Sequence, residues 1–330
     1  MKKTSYLCPV KMTKLTRSLT IKDQKMKKFN FNFAALYGFA LLLGTMVTLS
    51  SCSDAEEVLN PSNLTTGLSA PVNVYVSDFS ISMEDISASR TRAVENPADY
   101  SEVVALTLAF YSGTTEVYSA TQMKGTATNF GEFSLTLPLG SYTMVAIARD
   151  HLSNDAFTLT SPTEAGFTSE KVRETFSITQ EVSITSTEAR DLSITLNRVV
   201  TKLGIESTDA RPAGVAKIRT TYGAGSKSFN PSTGLAVGNT GFSMTNTPSA
   251  AVGAAIGISS FAFLATDEQT MDITIDVLNA SDQVIFSKVV SDVPFKRNRK
   301  TTLRGPLFTA NATSTFTIET SWLDELVVPF

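Results

Sequence analysis

The chain has 330 residues, 42% of them hydrophobic and 18% charged, with 28 Lys+Arg against 31 Asp+Glu. That length suits about two domains of roughly 100–200 residues each, and the mixture of apolar and charged side chains excludes a disordered polyelectrolyte. Residues 1–51 hold nine of the cations and one acid, Asp23, which leaves 19 cations against 30 acids in residues 52–330. An acidic body has little with which to displace counterions from a phosphate backbone, so nucleic acid is not expected as a partner. One His, His151, and two Cys, Cys8 and Cys52, do not suffice for a clustered soft-ligand metal site or a Cys/His nucleophile pair, and no cofactor is expected.

Met26-Lys27-Lys28 followed by the apolar run at residues 33–49 reads as a signal peptide, here assigned to residues 1–51, with Met26 a candidate initiator. The run ends in Leu49-Ser50-Ser51-Cys52, not in a charged stop-transfer flank, and this tetrapeptide is similar to the bacterial lipobox. Signal peptidase is then expected to cut between Ser51 and Cys52, and the Cys52 thiol to carry the lipid. The alternative is an incidental thiol beside an ordinary cleavage site. Residues 52–70 open with Ser53-Asp54-Ala55-Glu56-Glu57 and continue with small and turn-forming residues, which reads as a solvated tether. The acidic patch after the Cys resembles the surface-export signal of Bacteroidetes lipoproteins, and points to an outer-membrane protein exposed at the cell surface.

From residue 72 the dominant period is two. Val72, Val74 and Val76 alternate with polar residues, and the pattern continues through Phe79, Ile81 and Met83. The same alternation returns at residues 104–110, 133–137, 142–147, 192–196, 271–277, 284–286 and 315–318, with Thr and Ser at the intervening positions of half-wet strands. Pro138-Leu139-Gly140, Gly113, Gly125, Asn230-Pro231 and Asn279-Ala280-Ser281-Asp282 supply the turns. Strands at this spacing predict an all-β chain of two sandwiches, an N-terminal one over residues 71–197 and a C-terminal one over 198–330. One apolar strand is expected to run through the boundary, from Leu196 toward Leu203 and Ile205. Residues 223–260 read as short strands and loops.

Three segments together resemble the Bacteroidales fimbrillin, or type V pilin, superfamily. They are Phe133-Ser134-Leu135-Thr136-Leu137-Pro138-Leu139-Gly140-Ser141-Tyr142-Thr143, then Leu196-Asn197-Arg198-Val199-Val200-Thr201-Lys202-Leu203, and residues 293–308 followed by Trp322. The resemblance covers about residues 70–325. It implies two tandem transthyretin-like sandwiches, a place in a surface fimbrium as stalk, tip or anchor subunit, and other fimbrial subunits as partners. It leaves a host or glycan ligand open. It also implies a maturation step, in which a protease cuts after an Arg and a strand from a neighbour replaces the departed first strand. Here Arg92 and Ala93 supply such a cut directly after the first alternating segment; an ordinary solvated linker is the other reading. Only eight residues follow Trp322, too few for the roughly twelve-residue donor that would refill the first strand's place. This favours an anchor or accessory subunit.

An enzyme is not expected. His151 lies in a polar loop after a strand, no Gly-x-Ser-x-Gly elbow precedes a helix, and adjacent acid pairs such as Glu84/Asp85 and Asp324/Glu325 point to opposite faces of a strand. The basic cluster 296–300 reads as a solvated turn, with contact to an acidic neighbour or to lipopolysaccharide phosphates as the alternative. A surface glycan-binding lipoprotein is the competing function, and it requires an exposed aromatic platform drawn from Tyr111, Tyr118, Tyr222 or Trp322.

Overall fold

The computed structural model describes residues 67–80, 94–95, 100–151, 156–309 and 317–321. Among them there is no helix and the chain is all β. The strands in chain order are β1 (Ser69–Ser80), β2 (Val94–Glu95), β3 (Ala105–Ser112), β4 (Thr115–Met123), β5 (Glu132–Pro138), β6 (Gly140–Arg149), β7 (Phe157–Ser161), β8 (Glu164–Phe167), β9 (Thr175–Ile184) and β10 (Arg190–Arg198). They continue with β11 (Thr201–Ser207), β12 (Lys217–Tyr222), β13 (Ser228–Asn230), β14 (Leu235–Ala236), β15 (Phe242–Asn246), β16 (Gly257–Ala262), β17 (Glu268–Leu278), β18 (Val284–Lys296), β19 (Lys300–Gly305) and β20 (Thr317–Ser321).

The first sandwich is one sheet folded over on itself. Its order is β2-β1-β10-β9-β6-β3-β4, with β5 also paired to β1. The fold-over falls between β10 and β9, which share only the pairs Asn197↔Ser177 and Arg198↔Phe176. Alternation then does what the period predicts. Val72, Val74 and Val76 of β1 and Leu192, Ile194 and Leu196 of β10 meet Leu106, Leu108 and Phe110 of β3 and Tyr142, Met144 and Ala146 of β6 in a common core. The Pro-x-Gly turn between β5 and β6 has a physical closure, because the Tyr142 hydroxyl donates to the Pro138 carbonyl at 2.8 Å. A side chain at Gly140 would come within 3.2 Å of that hydroxyl.

The second sandwich packs a sheet ordered β16-β11-β19-β20 against one ordered β15-β12-β17-β18. Leu203, Ile205 and Leu303 face Ile218, Tyr222, Ile273, Ile275, Val277 and Phe295 across its core. Its pairing repeats that of the first. β11 runs parallel to β19 and antiparallel to β16, as β1 runs parallel to β10 and antiparallel to β5.

A third core lies against the outer face of β3 and β6. Ala109, Tyr111, Val145 and Ile147 are covered by Ala165, Phe167, Phe229 and Phe263, with Phe229 and Phe263 stacked at 4.4 Å. The small sheet that covers them, β14-β13-β8-β7, takes strands from both sides of residues 197/198. The short strands expected in residues 223–260 are β13 to β16.

The single strand expected across residues 196–205 is instead broken into β10 and β11. Val199 and Val200 are both buried in the third core, and consecutive strand residues cannot face the same side. Next to them, the basic cluster 296–300 forms the β18–β19 turn, with Asn298 at φ 58°. Lys296 and Arg297 pair with Glu268 and Asp267. The turn's backbone is not left to solvent: Asn298 donates to the Val200 carbonyl at 2.9 Å, and the Arg299 carbonyl accepts from Lys202 N–H and the Thr201 hydroxyl, both at 3.0 Å.

Asp209, just after β11, holds the segment that leaves β19. Its carboxylate accepts from the backbone N–H of Leu307 at 2.7 Å, from that of Phe308 at 2.8 Å and from the Thr309 hydroxyl at 2.9 Å. Partial burial pushes its pKa up, but these donors outweigh burial and hold it below the ordinary value. A depressed folded-state pKa stabilises fully above the unfolded value of about 3.9 and loses that contribution as pH falls through the folded one. Urea titrations of wild type and Asp209→Ala will therefore differ most above pH ~5, and the gap will shrink steadily below pH ~4.

Candidate functional site

The site that the alternation singled out is the bed of β1. Its inward residues Ala70, Val72, Val74, Val76 and Phe79 are all buried, while Pro71 and Tyr75 face outward. Both edges are covered. β10 pairs along one, from Val72↔Arg190 to Ser80↔Asn197, and β5 along the other, from Ser69↔Pro138 to Tyr75↔Glu132. Beyond β5, β2 takes over that edge through Phe79↔Glu95 and Ser80↔Val94. A bulge between Val76 and Asp78 shifts the register, so two residues, not one, lie between the inward Val76 and the inward Phe79.

No covalent bond beyond the chain itself holds β1. Three valines and a phenylalanine at about 1.5–3 kcal/mol each amount to roughly 6–12 kcal/mol of gross apolar stabilisation, in addition to two ladders of main-chain hydrogen bonds. On the outer face Asn73 donates to Asp191 at 2.8 Å and accepts from the Ser134 hydroxyl at 2.9 Å, so one side chain joins β1 to both neighbours.

At its far end β1 meets a buried aromatic and ionic cluster. Phe79 lies 5.0 Å from Phe176 and 5.8 Å from Tyr100, and those two rings meet edge-on at 5.6 Å. The Tyr100 hydroxyl donates to Glu174 Oε1 at 3.0 Å and accepts from Arg198 Nη2 at 2.8 Å. Arg198 is 2.7 Å from Glu174 through Nε, donates to Asn298 Oδ1 at 2.9 Å and lies 4.9 Å over the Phe176 ring. Burial first, and the Glu174 charge second, push the Tyr100 phenol well above its ordinary pKa, so it stays protonated and can donate. Arg198 thus ties the end of β10 to the first strand's aromatic floor and to the β18–β19 turn.

Of the residues singled out in the sequence, Ser51, Cys52, Arg92, Ala93, Ile81, Met83 and Trp322 lie outside the described residues. β2 begins two residues after Arg92, so the described chain resumes beside the end of β1. His151 is half-buried, its own N–H bonded to the Asp150 carboxylate. Among the described residues no group of three His, Cys, Asp or Glu is placed to hold a metal ion. The aromatic platform does not form from the described candidates. Tyr111 and Tyr222 are buried, the former with its phenol pushed up to about 12 by burial and by Glu116, and Tyr118 packs edge-on against Phe110. A polar cleft of about 700 Å³ opens beside the β18–β19 turn, lined by Ser177, Thr179, Thr233 and the turn itself. Its cations Lys296 and Arg297 are already paired. Sequence reasoning did not find Tyr100 or Glu174, because nothing in their spacing marks them.

Removing one partner of a buried ion pair leaves the other charge uncompensated. Arg198→Met is expected to destabilise by about 3–5 kcal/mol in urea unfolding, and Arg198→Met combined with Glu174→Gln to recover a large part of that loss.

No curated protein matches this sequence. Solved structures similar to it include the fimbrial anchor protein of Porphyromonas gingivalis, at 10% identity and TM-score 0.46 over 77% of this chain and 98% of that one. A candidate polysaccharide-binding protein of Bacteroides thetaiotaomicron is similar at 12% identity and TM-score 0.47, over 78% and 99%. A candidate adhesin of Bacteroides ovatus is similar at 11% identity and TM-score 0.47, over 78% and 97%. Likeness at these values says nothing of function. A model of a protein family matches residues 70–329, and that family is described as one of unknown function, DUF6562.

Proposed function

The chain belongs to this family of unknown function, and we propose that within it the protein is a structural subunit of a surface fimbrium, of anchor or accessory type, that assembles by β-strand addition. The observation that carries the reading is β1. It is a noncovalently held strand with both edges paired and five side chains in the core, followed within the same connection by Arg92 and Ala93. Cutting that connection turns β1 from part of the chain into a bound peptide. Its place is then open to an extended segment of another subunit, with main-chain bonds giving affinity and alternate side chains giving selectivity.

The lipobox-like Leu49-Ser50-Ser51-Cys52 and the tether at 52–70 support attachment to the outer membrane through lipid on Cys52. Uncut, the chain is an anchor that keeps that lipid and its first strand; cut after Arg92, it is an accessory subunit that loses both and takes a neighbour's strand in their place. The sandwiches at 71–197 and 198–330 serve as rigid spacers.

Mass spectrometry of the mature N-terminus from native membranes separates these fates. The anchor form begins at an acylated Cys52 and is lost from membranes in Cys52→Ser, whereas an incorporated subunit begins at Ala93. Arg92→Ala is expected to abolish any Ala93 start. Fibres assembled at the wild-type level with that variant exclude proteolytic activation.

A further inference from the structure

The in-facing positions of β1 are not equivalent. Ala70, Val72, Val74 and Val76 are small or β-branched, and Phe79 is the single aromatic that the strand sends into the core. Its place is built by other aromatics, Tyr100 and Phe176, and Tyr100 is fixed in turn by Glu174 and Arg198. Only the bulge at Ser77 brings Phe79 to this socket. With strict alternation, Phe79 would point outward.

We infer that the Tyr100–Phe176 socket selects the strand that β1's bed accepts, requiring an aromatic side chain three residues after the last inward β-branched one. This rests on the strand-addition reading and names the partner's chemistry: an extended peptide with a small residue, three β-branched residues at every second position, then two intervening residues and an aromatic. A side chain smaller than phenylalanine leaves the faces of Tyr100 and Phe176 uncovered. It also leaves Tyr100 free to turn from Arg198, whose Nη1 holds Asn298 in the β18–β19 turn. Occupancy of the socket is thereby sensed where the chain passes from β10 to β11.

The test uses the full chain carrying Val74→Asn, which loosens its own β1, and fluorescent peptides of residues 69–80. Three peptides are compared by anisotropy: the natural sequence, one with F79A and one lacking Ser77. The natural peptide is expected to bind, and each altered peptide to bind at least about tenfold more weakly. Equal affinity of all three overturns the selection while leaving strand addition intact; binding of none overturns strand addition itself. A second measurement uses the unloosened chain. Phe79→Ala is expected to speed amide exchange at Asn298 at least about tenfold, whereas Val72→Ala, at the other end of the strand, leaves it unchanged. An equal response to the two substitutions overturns the link between socket and junction.

Discussion

The parallel contact between β1 and β10 is the constraint on which the first sandwich depends. The strands pair residues 118 positions apart, at Val72↔Arg190, and no tight turn can produce a parallel pair. The entropy of closing the long connection between them has to be overcome for the ladder to form, and the ladder completes the core on one side. A strand paired so remotely in sequence still contributes heavily to the finished core. Long-range ladders of this kind are slow to form because the loop entropy comes before the contact. When β1 is absent β10 still pairs with β9, whereas β5 loses the one strand it pairs with among the described residues and stays joined to β6 through the Pro138–Gly140 turn.

The ionic cluster at the junction follows a different logic. Arg198 and Glu174 are both buried, and the desolvation of two charges largely offsets their attraction. Its effect lies in what it forbids. Any arrangement that separates the guanidinium from Glu174, Tyr100 or Asn298 strands a buried polar group, so the passage from β10 to β11 is held in one geometry. Val199 and Val200 reinforce this by facing the third core together. A strand continuing straight through could not have placed both there.

Much of the fold was legible because one wet and one dry face print themselves as alternation. β1, β5, β10 and β17 coincide with such runs, and the step from Val76 to Phe79 already contained the bulge; β3 and β6 alternate as well, but the third core buries the outer face that their pattern marked as wet. β4 was not legible in this way. It is an edge strand whose Thr, Ser and Gln residues are exposed or half-buried, so neither face declares itself. β9 carries Gln180 in the row that holds Phe176, Ile178, Val182 and Ile184, which interrupts the apolar count. The candidate site divides similarly. The first strand could be read from its own residues, whereas its socket combines Tyr100, Glu174, Phe176, Arg198 and Asn298, brought together by folding over nearly 200 positions. Asn298 even sat within a basic cluster that reads as solvent-facing, because no local pattern reveals that a turn's backbone is docked.

The recurrence of one pairing scheme in both sandwiches sharpens the case for β1. Its counterpart β11 also runs parallel to a late strand, β19, and antiparallel to β16, and it too is buried. Pairing alone therefore does not make a strand exchangeable. β11 is joined to β10 by two buried valines on one side and leads to β12 on the other, so two cuts are needed to free it, one of them inside a core. A single cut between β1 and β2 separates β1 from every strand that follows. The second sandwich is thus a control carried within the same chain: the same hydrogen-bonded bed, without the connection that would let its occupant go. On the strand-addition reading proposed above, the first sandwich is the one that exchanges a strand, because of where the chain can be opened, and the proposed socket at Phe79 then decides what enters.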